Sequence, residues 1–587
     1  MIGKNHPSII THYRGGRFLI ACLAGLILLT GCKGGGKPDP EKGWVPPPAA
    51  PVLELLGSSV KALNFGWSAA EGATWYRMEE DPAQTGDFIT SIERMDAPAT
   101  GCTVGIATHL MPWSTAQYRL QACNGGGCTP SEAIPVADGM LGSIGYFKAS
   151  NPGSSDWFGH STALSGDGAT LAVGADNEDG GSPGINGDQG DLVGDAGAVY
   201  VFTKSDGVWV QQAYVKASNP EALDLFGVSV ALSHDGNTLA VGAWKEGSNS
   251  TGINGDQLNN SAYYAGAVYV YTRSGDTWSQ QAYIKPSNTM GGANFGVSVA
   301  LSLNGDILAV GSPNHGSPQS GAAYIFTRSG DTWSEQAFLK SFNPDGGDRF
   351  GAAVALDDDG DTLAVSATWE DSAATGIDGD HLNNSLADSG AVYVFSFSGT
   401  EWSQQAYIKA SNTGSNDWFG MSLTLSGDGN TMVAGSPQED ALRGAAYVFL
   451  RQSGTWSEQA YLKTSNISNN AHFGNSVSLA GDGNLLAVGA WGEGGSDRGV
   501  GADPYLGYML EAGAAYLLER HGGLWSHREY VKASNTDPVD RFGFSVSLSD
   551  NGDTLAVGSV FESSASTGLG GNQDDNSLSR AGAVYLY

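Results

Sequence analysis

Carboxylates at repeating offsets are the side chains in this sequence best placed to do chemistry. A glutamate follows six of the seven apolar runs of the Leu-Ala-Val-Gly-Ala type, at Glu178, Glu246, Glu370, Glu439, Glu493 and Glu562. An aspartate stands two residues before a recurring Phe-Gly pair, at Asp156, Asp224, Asp348, Asp417 and Asp540. A third set lies in Gly184-Ile185-Asn186-Gly187-Asp188-Gln189 and its counterparts, which contribute Asp256 and Asp380. One copy has His315 and Ala293 in place of the Glu and the Asp, and this joint absence implies that the two share one local structure. Hard oxygen ligands from several loops suit Ca²⁺, which makes calcium the candidate cofactor and these three sets its candidate ligands. The alternative is that Asx turns and carboxylate-to-amide hydrogen bonds fix the loops. No Gly-x-Ser-x-Gly elbow, Walker loop or metal-spaced histidine cluster is present, so no catalytic residue is assigned.

The elements that must position these groups repeat seven times. Phe-Gly recurs at Phe158, Phe226, Phe295, Phe350, Phe419, Phe473 and Phe542, with spacings of either 54–55 or 68–69 residues. A constant unit with one variable loop follows from that spacing. Each unit holds four apolar runs of strand length, the first two joined by an Asp-Gly or Asn-Gly hairpin such as Asp235-Gly236. Radial repetition of four-stranded sheets limits exposed edges. The last unit shows only three strands, ending at Ala583-Val584-Tyr585-Leu586-Tyr587, while Ile144-Gly145-Tyr146-Phe147-Lys148 precedes the first unit and matches a fourth. That segment is expected to complete the last blade and close a ring. In such a ring the loops between strands two and three share a face with the connections between blades, so the Asp, the Glu and the long inserts converge on one rim. The strand-four tryptophans, Trp278 and Trp333 among them, read as packing residues.

Phe-Gly-x-Ser-Val followed by Leu-Ala-Val-Gly-Ala/Ser resembles the FG-GAP repeat of integrin-α-like propellers. The resemblance implies an all-β fold, a seven-bladed β-propeller over residues 141–587. The family's calcium loop between strands one and two is shortened here to forms such as Ser165-Gly166-Asp167-Gly168-Ala169-Thr170, so its ligands do not carry over.

Ahead of the repeats, Lys4, Arg14 and Arg17 precede a short apolar run ending in Leu29-Thr30-Gly31-Cys32. The run is too short to span a bilayer. It resembles a bacterial lipoprotein signal over residues 1–31, implying a lipidated Cys32; an ordinary signal peptide is the alternative. Lys33 after the cysteine favours an outer-membrane anchor. A Gly/Pro-rich stretch, 32–50, reads as a tether. Residues 51–138 alternate in short strand-like runs and resemble a fibronectin type III sandwich, with Trp67 and Tyr118 in its core. Cys123 and Cys128 flank a Gly-rich turn and are the candidate disulfide, although with Cys102 three pairings are open.

The formal net charge of −32 opposes nucleic-acid binding, which needs a basic footprint. Tether, sandwich and propeller in series point to a monomeric, lipid-anchored envelope protein that binds a protein or glycan through propeller loops, without catalysis. The alternatives are an envelope or assembly scaffold and a polysaccharide hydrolase or lyase.

Overall fold

The computed structural model describes residues 45–587, apart from 191, 465, 467 and 468. The segment expected to be a signal peptide, Cys32 and most of the expected tether lie outside the described residues.

The apolar runs do not alternate because both of their faces are covered. Thr170–Ala175 is buried at every position, as are the first five residues of Ala198–Ser205. Such strands form when a sheet is sandwiched between two others. Among the described residues, 145–587 supply seven four-stranded antiparallel sheets, six of them in sequential order. The second is typical: Phe226–Leu232, Thr238–Ala243, Ala267–Ser274 and Thr277–Ile284. The innermost strand of each sheet packs on that of the next, and the seventh packs on the first. This cyclic all-β arrangement is consistent with a propeller. Gly145–Phe147 supplies the fourth strand of the last sheet, with Tyr146 opposite Tyr585 and Phe147 opposite Val584.

Neighbouring sheets approach too closely for side chains where two glycines meet. A Cβ on Gly174 would lie 2.0 Å from the Gly227 carbonyl oxygen, so the glycine of one Phe-Gly pair and that of the preceding sheet's second strand are a contact pair. Farther out, the strand-four tryptophans stitch sheets together. Trp278 donates to Gln212 (2.8 Å) and Trp333 to Gln281 (2.9 Å), each glutamine lying on the fourth strand of the sheet before.

Residues 53–135 form two further sheets. One has Leu53–Ser59, Ala62–Trp67 and Gly101–Gly105; the other has Trp75–Asp81, Ile89–Asp96, Gln117–Asn124 and Gly127–Pro130, with Ile134–Pro135 alongside. Leu63, Phe65, Trp67, Tyr76, Tyr118 and Leu120 are buried between them. Cys123 and Cys128 are disulfide-bonded across the hairpin, and Cys102 is a half-buried thiol. Among the described residues no helix is long and apolar enough to cross a membrane.

This sandwich packs against the ring. Lys61 Nζ donates to Thr554 Oγ1 (2.7 Å), His109 Nε2 to the Gly552 carbonyl (2.9 Å), and Arg528 to the Leu110 carbonyl (3.3 Å). Val60 joins Phe147 and Trp209 in one apolar cluster. Burial, with the Lys61 and Arg528 charges adding to it, pushes the His109 imidazole down to about 3. His109 is therefore neutral when packed and takes up a proton when released below its ordinary value of 6.5. Stability from this contact is full above pH 6.5 and falls as pH drops toward 3, by up to about 1.4 kcal/mol per pH unit. His109→Gln keeps an amide donor for Gly552 and removes the proton uptake. Thermal melting at pH 7 and pH 5 checks this: the wild-type melting temperature is expected to fall more than that of H109Q.

Candidate functional site

Within each four-stranded sheet, the connection between strands two and three emerges on the same side as the link to the next sheet. The three carboxylate sets lie in these segments, and the structure assigns each a different environment.

The glutamates point inward. Residues two apart on a strand share a face, so Tyr214 and Lys216 at the end of strand four both reach the same side chain. Glu178 accepts from Lys216 Nζ (2.7 Å), Tyr214 Oη (2.8 Å) and Asn151 Nδ2 (2.8 Å). Tyr200 Oη donates to Asn151 Oδ1 (2.6 Å) and completes the cluster. The cluster repeats at Glu246 with Lys285 (2.8 Å) and Tyr283 (3.0 Å), and at Glu370 with Lys409 and Tyr407 (both 2.7 Å). It recurs at Glu439 with Lys463 (2.6 Å) and Tyr461 (2.8 Å), and at Glu493 with Lys532 (3.1 Å) and Tyr530 (2.7 Å). At the ring closure Glu562 meets Lys148 (2.6 Å) and Tyr146 (2.8 Å). In the Glu178, Glu246, Glu370, Glu493 and Glu562 copies, both partners of the ion pair are buried. Sheet three has His315 instead, and Phe338 where the other copies have the tyrosine. Its Lys340 turns to the Gly321 carbonyl and to Ser320 Oγ (2.9 Å).

The aspartates before Phe-Gly are buried beside the glutamates and brace the turn that leads into strand one. Asp156 accepts from the Gly153 amide (2.6 Å), Asp224 from Glu221 (3.1 Å) and Asp348 from Asp345 (3.0 Å). Burial, with a neighbouring glutamate adding to it, raises Asp224 and Asp540 to about 8, Asp348 to about 7 and Asp417 to about 6.

Asp188, Asp256 and Asp380 are exposed, and each accepts the amide two residues on, from Gly190, Leu258 and Leu382. The motif around them is a strap on the outer strand edge. Asn186 has left-handed backbone (φ 55°). Its amide donates to the Tyr214 carbonyl (2.7 Å), while its Oδ1 accepts the Tyr214 amide (2.9 Å). Asn254 does the same at Tyr283, and Asp378 at Tyr407. An otherwise bare fourth strand is thereby covered.

The carboxylates expected to hold calcium have other surroundings in this geometry. The glutamate oxygens face an ammonium group, the buried aspartates face backbone amides, and Asp188, Asp256 and Asp380 stand out in solvent. As arranged, these carboxylates do not fit a cation. Among the described residues no group of three or more His, Cys, Asp or Glu side chains is disposed to hold a metal ion. The lysine and tyrosine partners were missed from sequence, although Tyr-x-Lys closes strand four wherever the glutamate is present.

Among the polar residues of the pinned loops, single large apolar side chains stand in solvent. Leu192, Leu258 and Leu382, at the tips of three inserts, are 82%, 81% and 77% exposed, and Tyr505 and Tyr508 lie open on the corresponding loop of sheet six.

Five stretches, 209–271, 278–326, 333–395, 402–449 and 456–517, match the FG-GAP repeat. The chain carries FG-GAP repeats. Each matched stretch begins at a strand-four tryptophan and ends in the third strand of the next sheet, so the FG-GAP unit straddles two sheets. No curated protein matches the chain. Among solved structures, the RRP9 WD40 repeats are 10% identical (TM-score 0.40), covering 74% of this chain and 98% of that one. A candidate 6-phosphogluconolactonase from Bacteroides uniformis ATCC 8492 is 9% identical (TM-score 0.38), covering 78% and 98%. Kuenenia stuttgartiensis hydrazine synthase is 13% identical (TM-score 0.39), covering 70% and 93%. Likenesses this low carry no argument about activity.

The raised aspartates generate a pH signature. Asp224 holds its proton in the fold up to about pH 8 but loses it near 3.8 when unfolded. Its contribution is therefore full below 3.8 and is lost as pH rises toward 8. Asp224→Asn, which keeps the acceptor for the Glu221 amide without a charge, is expected to raise the melting temperature at pH 8 and leave it nearly unchanged at pH 4.

Proposed function

We propose that this FG-GAP protein is a non-catalytic, lipid-anchored cell-envelope binding or adhesion protein that recognises a protein or glycan through the loop face. In this reading the seven sheets are the blades of a seven-bladed propeller. The fibronectin type III-like sandwich is a spacer packed on its flank, and lipidated Cys32 ties the assembly to the outer membrane by way of the tether. The propeller acts as a monomer and, given its acidic charge, does not engage nucleic acid.

One observation carries the reading: rigidly held loops on one side of the ring expose Leu192, Leu258 and Leu382 almost completely. Large apolar side chains left in solvent at loop tips are available to a partner, and fixing the loop backbone in advance lowers the ordering cost of binding. The buried ion pairs and the Asn186-type straps do that fixing. FG-GAP repeats support a binding or adhesion role in the same direction.

The test is biolayer interferometry of the purified chain against extracellular polysaccharide and surface-protein fractions. Saturable binding to at least one fraction is expected, weakened at least tenfold in the triple variant Leu192→Ser/Leu258→Ser/Leu382→Ser with its melting temperature retained. Absence of binding to every fraction, or undiminished binding by the triple variant, would contradict the proposal.

A further inference from the structure

The seven copies act as an internal control, because a residue that only one copy carries is not required by the repeat. Copy one departs from the others at two positions. His160 follows Phe-Gly where other copies have residues such as Val228, Val297 and Met421. Asp176 follows the Gly-Ala pair where others have Trp244, Pro313 or Trp491. The two departures meet: His160 Nδ1 and Asp176 Oδ1 lie 3.4 Å apart, with side chains 19% and 4% exposed.

Neither of these two atoms has a hydrogen-bond partner in the protein, nor does Trp157 Nε1 beside them. Unpartnered buried polar atoms are rare, and each calls for an explanation. Here all three side chains line a cavity of about 460 Å³ between sheets one and two, together with Asp195, Trp244 and Lys245. That volume is in the range of small-molecule sites. Lys245 Nζ stands 4.7 Å from the centroid of the Trp244 ring.

The wall therefore combines an unmet donor (the Trp157 N–H), an unmet acceptor (Asp176 Oδ1), a second carboxylate (Asp195), the half-buried Lys245 ammonium and two indoles. An organic cation would meet Asp176 and Asp195 but would stand beside the Lys245 ammonium and leave the indole N–H unpaired. An apolar ligand would leave all the polar atoms unpaired, at a cost for each. Hydroxyl groups both donate and accept, and the C–H face of a sugar ring matches an aromatic surface. We propose that this cavity is a saccharide subsite for a single sugar ring, with Trp157 and Trp244 against its apolar face and Asp176, His160 and Lys245 on its hydroxyls. It rests on the binding reading above and gives it a ligand class and a place distinct from the loop tips.

Saturation-transfer NMR on the whole purified chain tests it, with N-acetylglucosamine and the methyl glycosides of glucose, galactose and mannose as probes. At least one sugar is expected to show saturable transfer, weakened tenfold or more in Asp176→Asn and in Trp157→Ala. Trp418→Ala changes the equivalent residue of copy five, which has Met421 and Pro437 in place of the His and the Asp, and is expected to bind like wild type. Asp176→Asn is nearly isosteric and decides the matter if Trp157→Ala does not fold. No transfer from any of the four sugars means that the cavity holds water alone and overturns the subsite, as does unchanged binding by Asp176→Asn. Interferometry on the same preparation separates the two proposals. Fraction binding without sugar transfer removes only the subsite, and sugar transfer without fraction binding removes only the loop-tip reading.

Discussion

The loop face depends on a buried ion pair, Glu to Lys, repeated around the ring. Each glutamate enters from the connection after strand two and each lysine from the end of strand four, so the pair fastens the least regular part of a sheet to its outer edge. Taking both charges out of water costs several kcal/mol per ion, which the pair offsets only when the remaining hydrogen-bonding capacity is met. The tyrosine hydroxyl and the asparagine amide meet it. Removing one partner would strand the other charge in the interior, which is why the residues behave as a set. Sheet three, lacking the glutamate, also lacks the tyrosine and the preceding buried aspartate, and its lysine has turned to a backbone carbonyl.

That covariation also explains what was legible in the sequence. The strands, their hairpins and the match between Ile144–Lys148 and a missing fourth strand were readable because each is a local pattern repeated many times. The carboxylates stood out for the same reason, although the joint loss in sheet three does not tie Glu to Asp, because sheet six keeps Glu493 with Ala471 in the aspartate position. Their chemical role was hidden because the partner is remote: Lys216 is 38 residues from Glu178, across a long insert and two strands. Oxygen ligands clustered in loops invite a cation, and only the folded register places an ammonium there first. The strap had a local signal of a different kind. Asn186, Asn254 and Asp378 occupy left-handed backbone, which Asn and Asp tolerate better than most residues. The motif thus has the conformational, Asx-type role that the sequence offered as the alternative to ligation.

The same constraint frees the face for recognition. With its backbone tied down inside, each insert can vary at its tip, and the tips carry an exposed leucine or tyrosine among polar residues. The sandwich sits against the opposite end of strand two in sheet seven, at Gly552 and Thr554 on the hairpin side. It also reaches the insert of sheet six, where Trp113 lies against Gly499.

The measurement that most directly tests the central claim, that lysine and not a metal ion neutralises these carboxylates, is thermal melting of residues 47–587 across a calcium titration and with chelator. Ligand that binds only the folded state raises the melting temperature with saturation. The account predicts superimposable melting curves from chelator to millimolar Ca²⁺. A saturable rise, abolished by Glu246→Gln, would contradict it and return the carboxylates to a metal.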